Sequence, residues 1–143
     1  MKKVVVSGAN GFIGSAFVRE LVAHQIEVAA LDMEGHCDQI IDNSLVTFYP
    51  FSLDHAKELE GRIKERDFDT FYHFAWAGSA GKDRADVSLQ LRNAQWTADC
   101  LILAKSLGCS RFVNAGSIME LETMRAVFCG GNKPGSGYIY GAG

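Results

Sequence analysis

Long hydrophobic runs are missing from this chain of 143 residues. The longest apolar stretches, such as Val4–Val6 and Phe71–Ala77, fall far short of the ~20 residues that a membrane-spanning helix needs. Lys2 and Lys3 give the N-terminus a superficial likeness to a signal peptide, but the apolar run breaks at Ser7, before a signal core of ~7–15 residues is complete. We therefore expect no membrane association, and we interpret the first apolar run as a buried strand.

Positive charge is also in short supply. The chain has 14 Lys and Arg residues against 17 Asp and Glu residues, which gives a net charge of −3 at pH 7. Proteins that bind nucleic acids present a basic stripe or patch to the phosphate backbone, and this sequence contains neither. We therefore expect no nucleic-acid partner.

Cysteine pairs with a metal-binding spacing are absent as well. The four cysteines stand at positions 37, 100, 109 and 129, none forms a Cys-x-x-Cys pair, and no histidine lies at a zinc-site spacing from them. Cys100 and Cys109 fall in or near a helical pattern, where buried or half-buried thiols are expected. These observations predict reduced structural cysteines, no metal site and a cytoplasmic protein.

An alternation of short apolar strands with helical patterns runs through the chain. Strands are predicted at Lys2–Ser7, Ile26–Leu31, Leu45–Phe51, Thr70–Ala75 and Arg111–Asn114. Helices are predicted at Phe12–His24, at Ala56–Arg66 after an N-cap at Asp54, and at Asp86–Leu107 before Gly108. The chain is long enough for one domain, so the pattern predicts a single α/β domain with a doubly wound parallel sheet.

A glycine-rich turn separates the first strand from the first helix. Gly8, Gly11 and Gly14 recur at every third position within Ser7–Gly14. Small residues are needed in such a turn because the chain bends sharply, its backbone approaches a pyrophosphate, and the helix packs tightly on the strand. The pyrophosphate lies at the helix N-terminus, where free N–H groups and the helix dipole favour an anion. An ordinary glycine turn without a ligand is the alternative.

Asp32, at the end of the second strand, stands 18 residues after Gly14. A carboxylate about 20 residues beyond such a turn binds the hydroxyl groups of the adenosine ribose. It would repel a 2′-phosphate, and no Arg or Lys follows closely at 33–35. Together with the turn, Asp32 predicts dinucleotide binding with NAD favoured over NADP; the alternative is a surface aspartate.

The spacing of the turn resembles that of the short-chain dehydrogenases/reductases, and in particular their extended group of nucleotide-sugar epimerases, dehydratases and reductases. The segment His73–Ala77, Asn93 in the long helix, and the fifth strand ending in Asn114–Ser117 are further likenesses. The resemblance implies a Rossmann fold, NAD as cofactor and a nucleotide-sugar substrate. It implies that NAD is bound by Gly8, Asn10, Gly11, Phe12, Ile13, Gly14, Asp32, Ser52, Leu53, Phe74, Ala75, Trp76 and Asn93.

Several of these residues also have a plainer interpretation. His73 fits a hydrogen-bonded structural histidine at a strand end, and Asn93 fits an amide on a helix surface. Trp76 stands where the family has a small residue. Tyr138 and Tyr140 are both candidates for packing aromatics, although only Tyr140 has the family spacing.

Ser117 and Tyr140 are the catalytic pair that the resemblance implies. In the family, the serine hydroxyl binds the reacting oxygen of the substrate and the tyrosine transfers its proton. A family lysine that would fall at position 144, beyond the last residue, lowers the pKa of that tyrosine. A free tyrosine has a pKa near 10, so only about one in a thousand is phenolate at pH 7. We therefore expect the chain alone to be a poor catalyst. Leu121 and Glu122 depart from the family's usual Tyr-Gly.

These features predict that residues 1–143 form the nucleotide-binding domain of a longer enzyme, cut off before its substrate domain. In the family, the helix at 86–107 forms the dimer interface, so a homodimer is implied. Three functions stay open: an enzyme with transient hydride transfer at a sugar hydroxyl, an NAD-binding module without catalysis, and a sensor or scaffold relative. Whether the chain is a fragment or a natural truncation also stays open.

Overall fold

The computed structural model describes residues 2–33 and 42–129. Its strands are Lys3–Ser7 (β1), Glu27–Asp32 (β2), Val46–Pro50 (β3), Thr70–His73 (β4) and Arg111–Asn114 (β5). Its α-helices are Phe12–Ala23 (α1), Leu59–Arg62 (α2), Val87–Ser106 (α3) and Ile118–Cys129 (α4). Short 3-10 helices cover Leu53–Glu58 and Gly81–Ala85.

The five strands form one parallel sheet in the order β3-β2-β1-β4-β5. β1 lies at the centre, where Ser7 is opposite Leu31 of β2 and His73 of β4. The chain moves outward to β2 and β3 and then returns past β1 to β4, so the direction of winding reverses beside β1. In sheets of this kind, ligands bind at the carboxyl ends of the strands where the order reverses. The predicted doubly wound parallel sheet is confirmed.

Alternate residues of the strands supply two cores on opposite faces of the sheet. The face that carries Val4 and Val6 packs against α1 through Val18 and Leu21. The other face packs against α2 and the second half of α3, and its buried cluster includes Val5, Leu31, Phe71, Leu59, Ile63, Cys100, Leu103 and Leu107. Because successive strand side chains point to opposite faces, the continuous apolar runs of β1 and β4 serve both cores.

The predicted helix at 56–66 is only partly correct. The chain forms a 3-10 helix at Leu53–Glu58 and only a short α-helix, α2, with Ser52 and not Asp54 at the N-cap position. His55 interrupts the helical geometry with φ −119°. The helix ends at Ile63, whose extended backbone accompanies full burial of its side chain in the core. Burial of Ile63 therefore outweighs the helical preference of the Lys- and Glu-rich residues around it.

Cys100 and Cys109 are free thiols, and the structure confirms that they are buried or half-buried. Cys100 is fully buried and Cys109 is half-buried, and neither forms a disulfide. Burial raises the pKa of Cys100 to about 12 and that of Cys109 to about 11. Both thiols are therefore protonated at neutral pH, which makes them inert structural groups. Cys37 lies outside the described residues.

The chain divides into two compact units. One comprises Met1–Ala75 with Thr97–Ala115, and the other comprises Trp76–Trp96 with Gly116–Gly143. The sheet and both apolar cores belong to the first unit. Among the helices of the described ranges, none combines the length and the apolar character needed to cross a membrane.

A buried histidine joins the ends of β1 and β4 in the first unit. Nδ1 of His73 lies 2.6 Å from Oγ of Ser7, and Nε2 lies 3.3 Å from Oγ1 of Thr97. A neutral imidazole has one donor and one acceptor nitrogen, so one hydroxyl accepts and the other donates. Burial lowers the pKa of His73 to about 4, which keeps the ring neutral at pH 7. His73 is therefore a hydrogen-bonded structural histidine, which is the plainer of its two interpretations from the sequence.

Acidification should weaken the fold through His73. Its pKa is about 4 in the folded chain against an ordinary value of 6.5, so below pH 6.5 the unfolded chain takes up a proton that the folded chain refuses. The stabilisation is complete above pH 6.5 and is lost as the pH falls towards 4, at about 1.4 kcal/mol per pH unit and about 3 kcal/mol in total. Urea unfolding at several pH values should show a shallower dependence for His73→Gln. An NMR titration of His73 with a midpoint near 6.5 would contradict this.

Candidate functional site

The turn between β1 and α1 is held by close backbone contacts. Gly8 has φ +70°, and a Cβ atom added to it would lie 2.7 Å from the backbone nitrogen of Ala75. A Cβ atom on Gly14 would lie 2.0 Å from the carbonyl oxygen of Gly8. The backbone N–H groups of Gly8 and Ala9 both donate to the carbonyl oxygen of Leu31. Glycine is therefore required at both positions, as the sequence motif predicts.

The N-terminus of α1 is open. Gly11 occupies the N-cap position without a side chain to cap the helix, and the first turn contains no acidic residue. The first backbone N–H groups of a helix have no partner inside it, and they carry a partial positive charge. The side chains of Phe12 and Ile13 at this end are 93% and 61% exposed. This end of α1 can therefore receive an anion beside an accessible apolar surface.

Asp32 is bonded to the turn at the carboxyl end of β2. Its Oδ2 accepts a hydrogen bond of 2.8 Å from the backbone N–H of Asn10, and its Oδ1 accepts one of 2.8 Å from Met33. Each carboxylate oxygen has two lone pairs, so both oxygens can accept a further bond. The half-buried carboxylate thus both fixes the glycine turn and can accept bonds from two neighbouring hydroxyl groups of a ligand.

A cavity of about 240 Å³ opens beside the ends of β2 and β3. Met33, Phe51, Ser52 and Arg62 of α2 are among the residues that line it. Arg62 donates a hydrogen bond of 2.8 Å to the carbonyl oxygen of Pro50, which fixes the guanidinium group there. Complete pockets for small molecules occupy about 300–1,000 Å³, so this cavity suits one portion of a larger ligand.

The end of β4 completes this part of the site. The backbone N–H of Phe74 donates to the carbonyl oxygen of Ser7 at 3.0 Å. The ring of Phe74 packs edge-on against that of Phe17, with 5.4 Å between the ring centroids. Leu53 is partly buried against the core behind the end of β3. The first unit therefore places the following predicted residues at the carboxyl ends of β1, β2, β3 and β4: Gly8, Asn10, Gly11, Phe12, Ile13, Gly14, Asp32, Ser52, Leu53, Phe74 and Ala75.

Asn93 and Trp76 belong to the second unit. Asn93 bonds the residue that follows Trp76, and Trp76 bonds Gln90 on the helix that carries Asn93. Oδ1 of Asn93 accepts from the backbone N–H of Ala77 at 3.0 Å, and its Nδ2 donates to the carbonyl oxygen of Ala77 at 2.8 Å. Nε1 of Trp76 donates to Oε1 of Gln90 at 3.1 Å. Asn93 is only 1% exposed, so it is a buried group bonded to a loop and not an amide on the helix surface.

Ser117 precedes α4 and caps it. Its Oγ accepts a hydrogen bond of 3.2 Å from the backbone N–H of Met119, and Glu120 accepts one of 2.7 Å from the backbone N–H of Ser117. This reciprocal arrangement is a variant of the capping box, in which the serine caps the second and not the third N–H group of the helix. The hydroxyl hydrogen of Ser117 is not used in these bonds and can still be donated. Tyr140, the other predicted catalytic residue, lies outside the described residues.

The sequence signals for two residues in these arrangements differ. Glu120 has a recognisable signal, because Ser-x-x-Glu before a helix is the pattern of a capping box. Gln90 has none, since a glutamine on a helix is usually exposed and only the folded loop shows that this one is buried.

Solved structures share this fold. Epimerase Mth375 from Methanothermobacter thermautotrophicus is 24% identical, with a TM-score of 0.72 over 83% of this chain and 36% of its own. The enzyme WbmG from Bordetella bronchiseptica, in complex with NAD, is 16% identical, with a TM-score of 0.74 over 98% of this chain and 47% of its own. UDP-glucose 4-epimerase from Bifidobacterium longum, in complex with NAD+ and UDP, is 20% identical, with a TM-score of 0.70 over 85% and 39%. The chain thus spans less than half the length of each of these proteins.

Sequence comparison assigns the family. No curated protein matches the chain at a significant level. A family model described as the NAD dependent epimerase/dehydratase family matches residues 4–126. The match covers the glycine turn, Asp32, Asn93 and Ser117, and the predicted cofactor, NAD, is the one that defines this family. The chain therefore belongs to the NAD dependent epimerase/dehydratase family.

Proposed function

We propose that the chain is the NAD-binding domain of a nucleotide-sugar epimerase or dehydratase. The observation that carries this proposal is the carboxylate of Asp32, bonded at 2.8 Å to Asn10 in the turn that opens α1. An acceptor for ribose hydroxyls and an anion-binding helix end are thereby held together by one hydrogen bond.

The site fits the dinucleotide in three respects. The turn contains no Cβ atom at Gly8 or Gly14, where one would meet backbone atoms, so a pyrophosphate can approach. The end of α1 has no side-chain cap and no acidic residue that would compete with it. The cavity beside Ser52 lies at the ends of the strands that carry the adenosine side of the site, and its size suits a base.

The chemistry we propose for the whole protein is a transient oxidation of a sugar hydroxyl. A bound NAD would supply the hydride acceptor for this oxidation. Ser117 would donate its hydroxyl hydrogen to the reacting oxygen, and Tyr140 would take the proton of the sugar hydroxyl. This reaction class is supported by the similar fold of UDP-glucose 4-epimerases. The epimerase from Thermotoga maritima was solved with UDP-glucose.

The second candidate is an NAD-binding module, a sensor or a scaffold without catalysis. One observation favours it: Ser117 already serves as the helix cap of α4, which is sufficient reason for a serine at this position. The two candidates share the NAD site and differ only in whether Ser117 and Tyr140 take part in a reaction.

We also propose that copies of the chain associate through α3. Val87, Leu91, Leu101 and Ile102 are each more than half exposed, although the helix as a whole contributes to the core. Large apolar side chains on an exposed helix face are typical of an interface between subunits.

Nucleotide binding should depend on the charge of Asp32. In Asp32→Asn, one acceptor oxygen becomes a donor, so the amide cannot serve both backbone N–H groups and still accept from ribose. We expect NAD affinity to fall about tenfold or more in isothermal titration, as for loss of a charged hydrogen bond. The affinity for NADP should fall less, since the repulsion of its 2′-phosphate is also removed. Asp42→Asn, at an exposed aspartate, is the matched control. No binding of NAD by the unmodified chain would refute the proposal.

Catalysis is tested on the protein as its own gene encodes it. With NAD and a panel of UDP-, dTDP-, CDP- and GDP-sugars, we expect turnover of at least one sugar nucleotide. Tyr140→Phe and Ser117→Ala should each lower kcat by about 10²–10³-fold. Ser44→Ala, at an exposed serine before β3, is the control and should leave turnover unchanged. NAD binding without turnover of any sugar would favour the non-catalytic module.

Self-association should respond to charge on the exposed face of α3. Light scattering after size-exclusion chromatography should give twice the chain mass for the unmodified protein and a monomer mass for Ile102→Glu. Lys105→Glu, which changes an exposed polar residue of the same helix, should leave the dimer intact. A monomer at every concentration of the unmodified protein would exclude this interface.

A further inference from the structure

A row of three hydrogen-bonded side chains crosses the first unit, from β1 through β4 to α3. Oγ of Ser7 lies 2.6 Å from Nδ1 of His73, and Nε2 of His73 lies 3.3 Å from Oγ1 of Thr97. Ser7 is 0% and His73 is 1% exposed. Because solvent does not reach the shorter bond, removal of either side chain leaves the other buried without its partner.

The bond between Ser7 and His73 lies in apolar surroundings. Ser7 is on the same face of the sheet as Val5, a member of the buried cluster there. The ring of His73 lies 6.4 Å from that of Phe71 and 5.9 Å from that of Phe112, measured between centroids. An alanine or a valine at position 7 would fill such a site without the cost of burying a hydroxyl. The polar pair is therefore explained by the arrangement that it specifies and not by its burial.

This bond lies directly before the glycine turn. Ser7 is the last residue of β1, and in the parallel register it is opposite His73. One residue further, the backbone of Gly8 is so close to the end of β4 that an added Cβ atom would lie 2.9 Å from the carbonyl carbon of Phe74 and 2.7 Å from the nitrogen of Ala75. The bond thus joins the two segments one step before their closest approach, so a change in its length moves Gly8.

The turn is held from both neighbouring strands. On the β2 side, the backbone N–H groups of Gly8 and Ala9 donate to the carbonyl oxygen of Leu31 at 2.9 and 3.2 Å. On the β4 side, the carbonyl oxygen of Ser7 accepts from the backbone, and the hydroxyl of the same residue bonds His73. The side-chain bond is therefore a second link between the start of the turn and β4.

We infer that Ser7 and His73 are positioning residues for the glycine turn, and that their hydrogen bond holds the turn in the geometry that receives the pyrophosphate. The part that concerns pyrophosphate rests on the proposed NAD site. Both side chains are buried, so they act through the backbone of Gly8 and are not catalytic residues.

The position of the turn is tested with Ser7→Ala on the full chain. We expect hydrogen exchange at the backbone N–H of Gly8, measured by NMR, to become at least tenfold faster relative to that of Val5 in the same strand. Thr70→Val is the matched control, because it removes a buried hydroxyl from the opposite end of β4. It should leave the ratio of the two rates unchanged. An unchanged ratio in Ser7→Ala, or an equal change in Thr70→Val, would overturn the inference.

A double-mutant cycle separates the bond from the two side chains taken singly. In His73→Phe the ring is kept and both nitrogens are lost, so Ser7→Ala should then change the Gly8 rate less than twofold. Additive effects of the two substitutions would show that they act independently, against the inference. Should His73→Phe fail to fold, the comparison of Ser7→Ala with Thr70→Val decides the matter.

The binding role is tested by isothermal titration with NAD and with ADP, both of which contain the pyrophosphate. We expect Ser7→Ala to weaken the two ligands by the same factor, at least fivefold, and Thr70→Val to leave both affinities unchanged. Unchanged affinities in Ser7→Ala, or an equal loss in Thr70→Val, would overturn the binding role. If the unmodified chain binds neither ligand, the proposed function fails, and the exchange rates still decide whether the bond positions the turn.

Discussion

The close contact between Gly14 and Gly8 determines how the first helix sits on the sheet. A Cβ atom at Gly14 would come within 2.0 Å of the Gly8 carbonyl oxygen, and one at Gly8 within 2.7 Å of the Ala75 nitrogen. Because glycine has no Cβ atom, the N-terminal end of α1 can pack directly against the ends of β1 and β4. Because the same approach leaves the first N–H groups of α1 open, one packing constraint produces both the fold of this edge and its capacity to bind an anion.

Buried polar side chains fix segments after β1 and β4 that these backbone contacts do not hold. His73 ties Ser7 to Thr97 in the first unit, and Gln90 and Asn93 tie the loop after β4 to α3 in the second. Each is almost fully buried and makes at least two hydrogen bonds. A satisfied polar group in a core is specific because only one arrangement supplies its partners, whereas apolar packing tolerates many. The polar groups therefore set the positions of the segments after β1 and β4.

The elements predicted from sequence are those whose signal is local. The strands, the glycine turn and the long helix follow from apolar runs, glycine spacing and helical periodicity, and the structure places them within a few residues of the predictions. The predicted helix at 56–66 ends early, at Arg62, because burial of Ile63 is a tertiary effect that the local sequence does not show. Gln90 was missed for the same reason, since its partners lie 7 to 14 residues away in a loop without a period. The glycine turn was predictable because its motif is short and carries its own geometry.

Asp32 shows why a carboxylate and not another acceptor suits this position. The backbone N–H groups of Asn10 and Met33 each require an acceptor, and they approach different oxygens. An asparagine has one acceptor oxygen and would oppose its amide hydrogens to one of these N–H groups. A carboxylate serves both and retains lone pairs on each oxygen, which in the proposed NAD site would accept from two ribose hydroxyls. Its negative charge would disfavour a phosphate on that ribose, so in this proposal the group that holds the turn together also selects between the two dinucleotides.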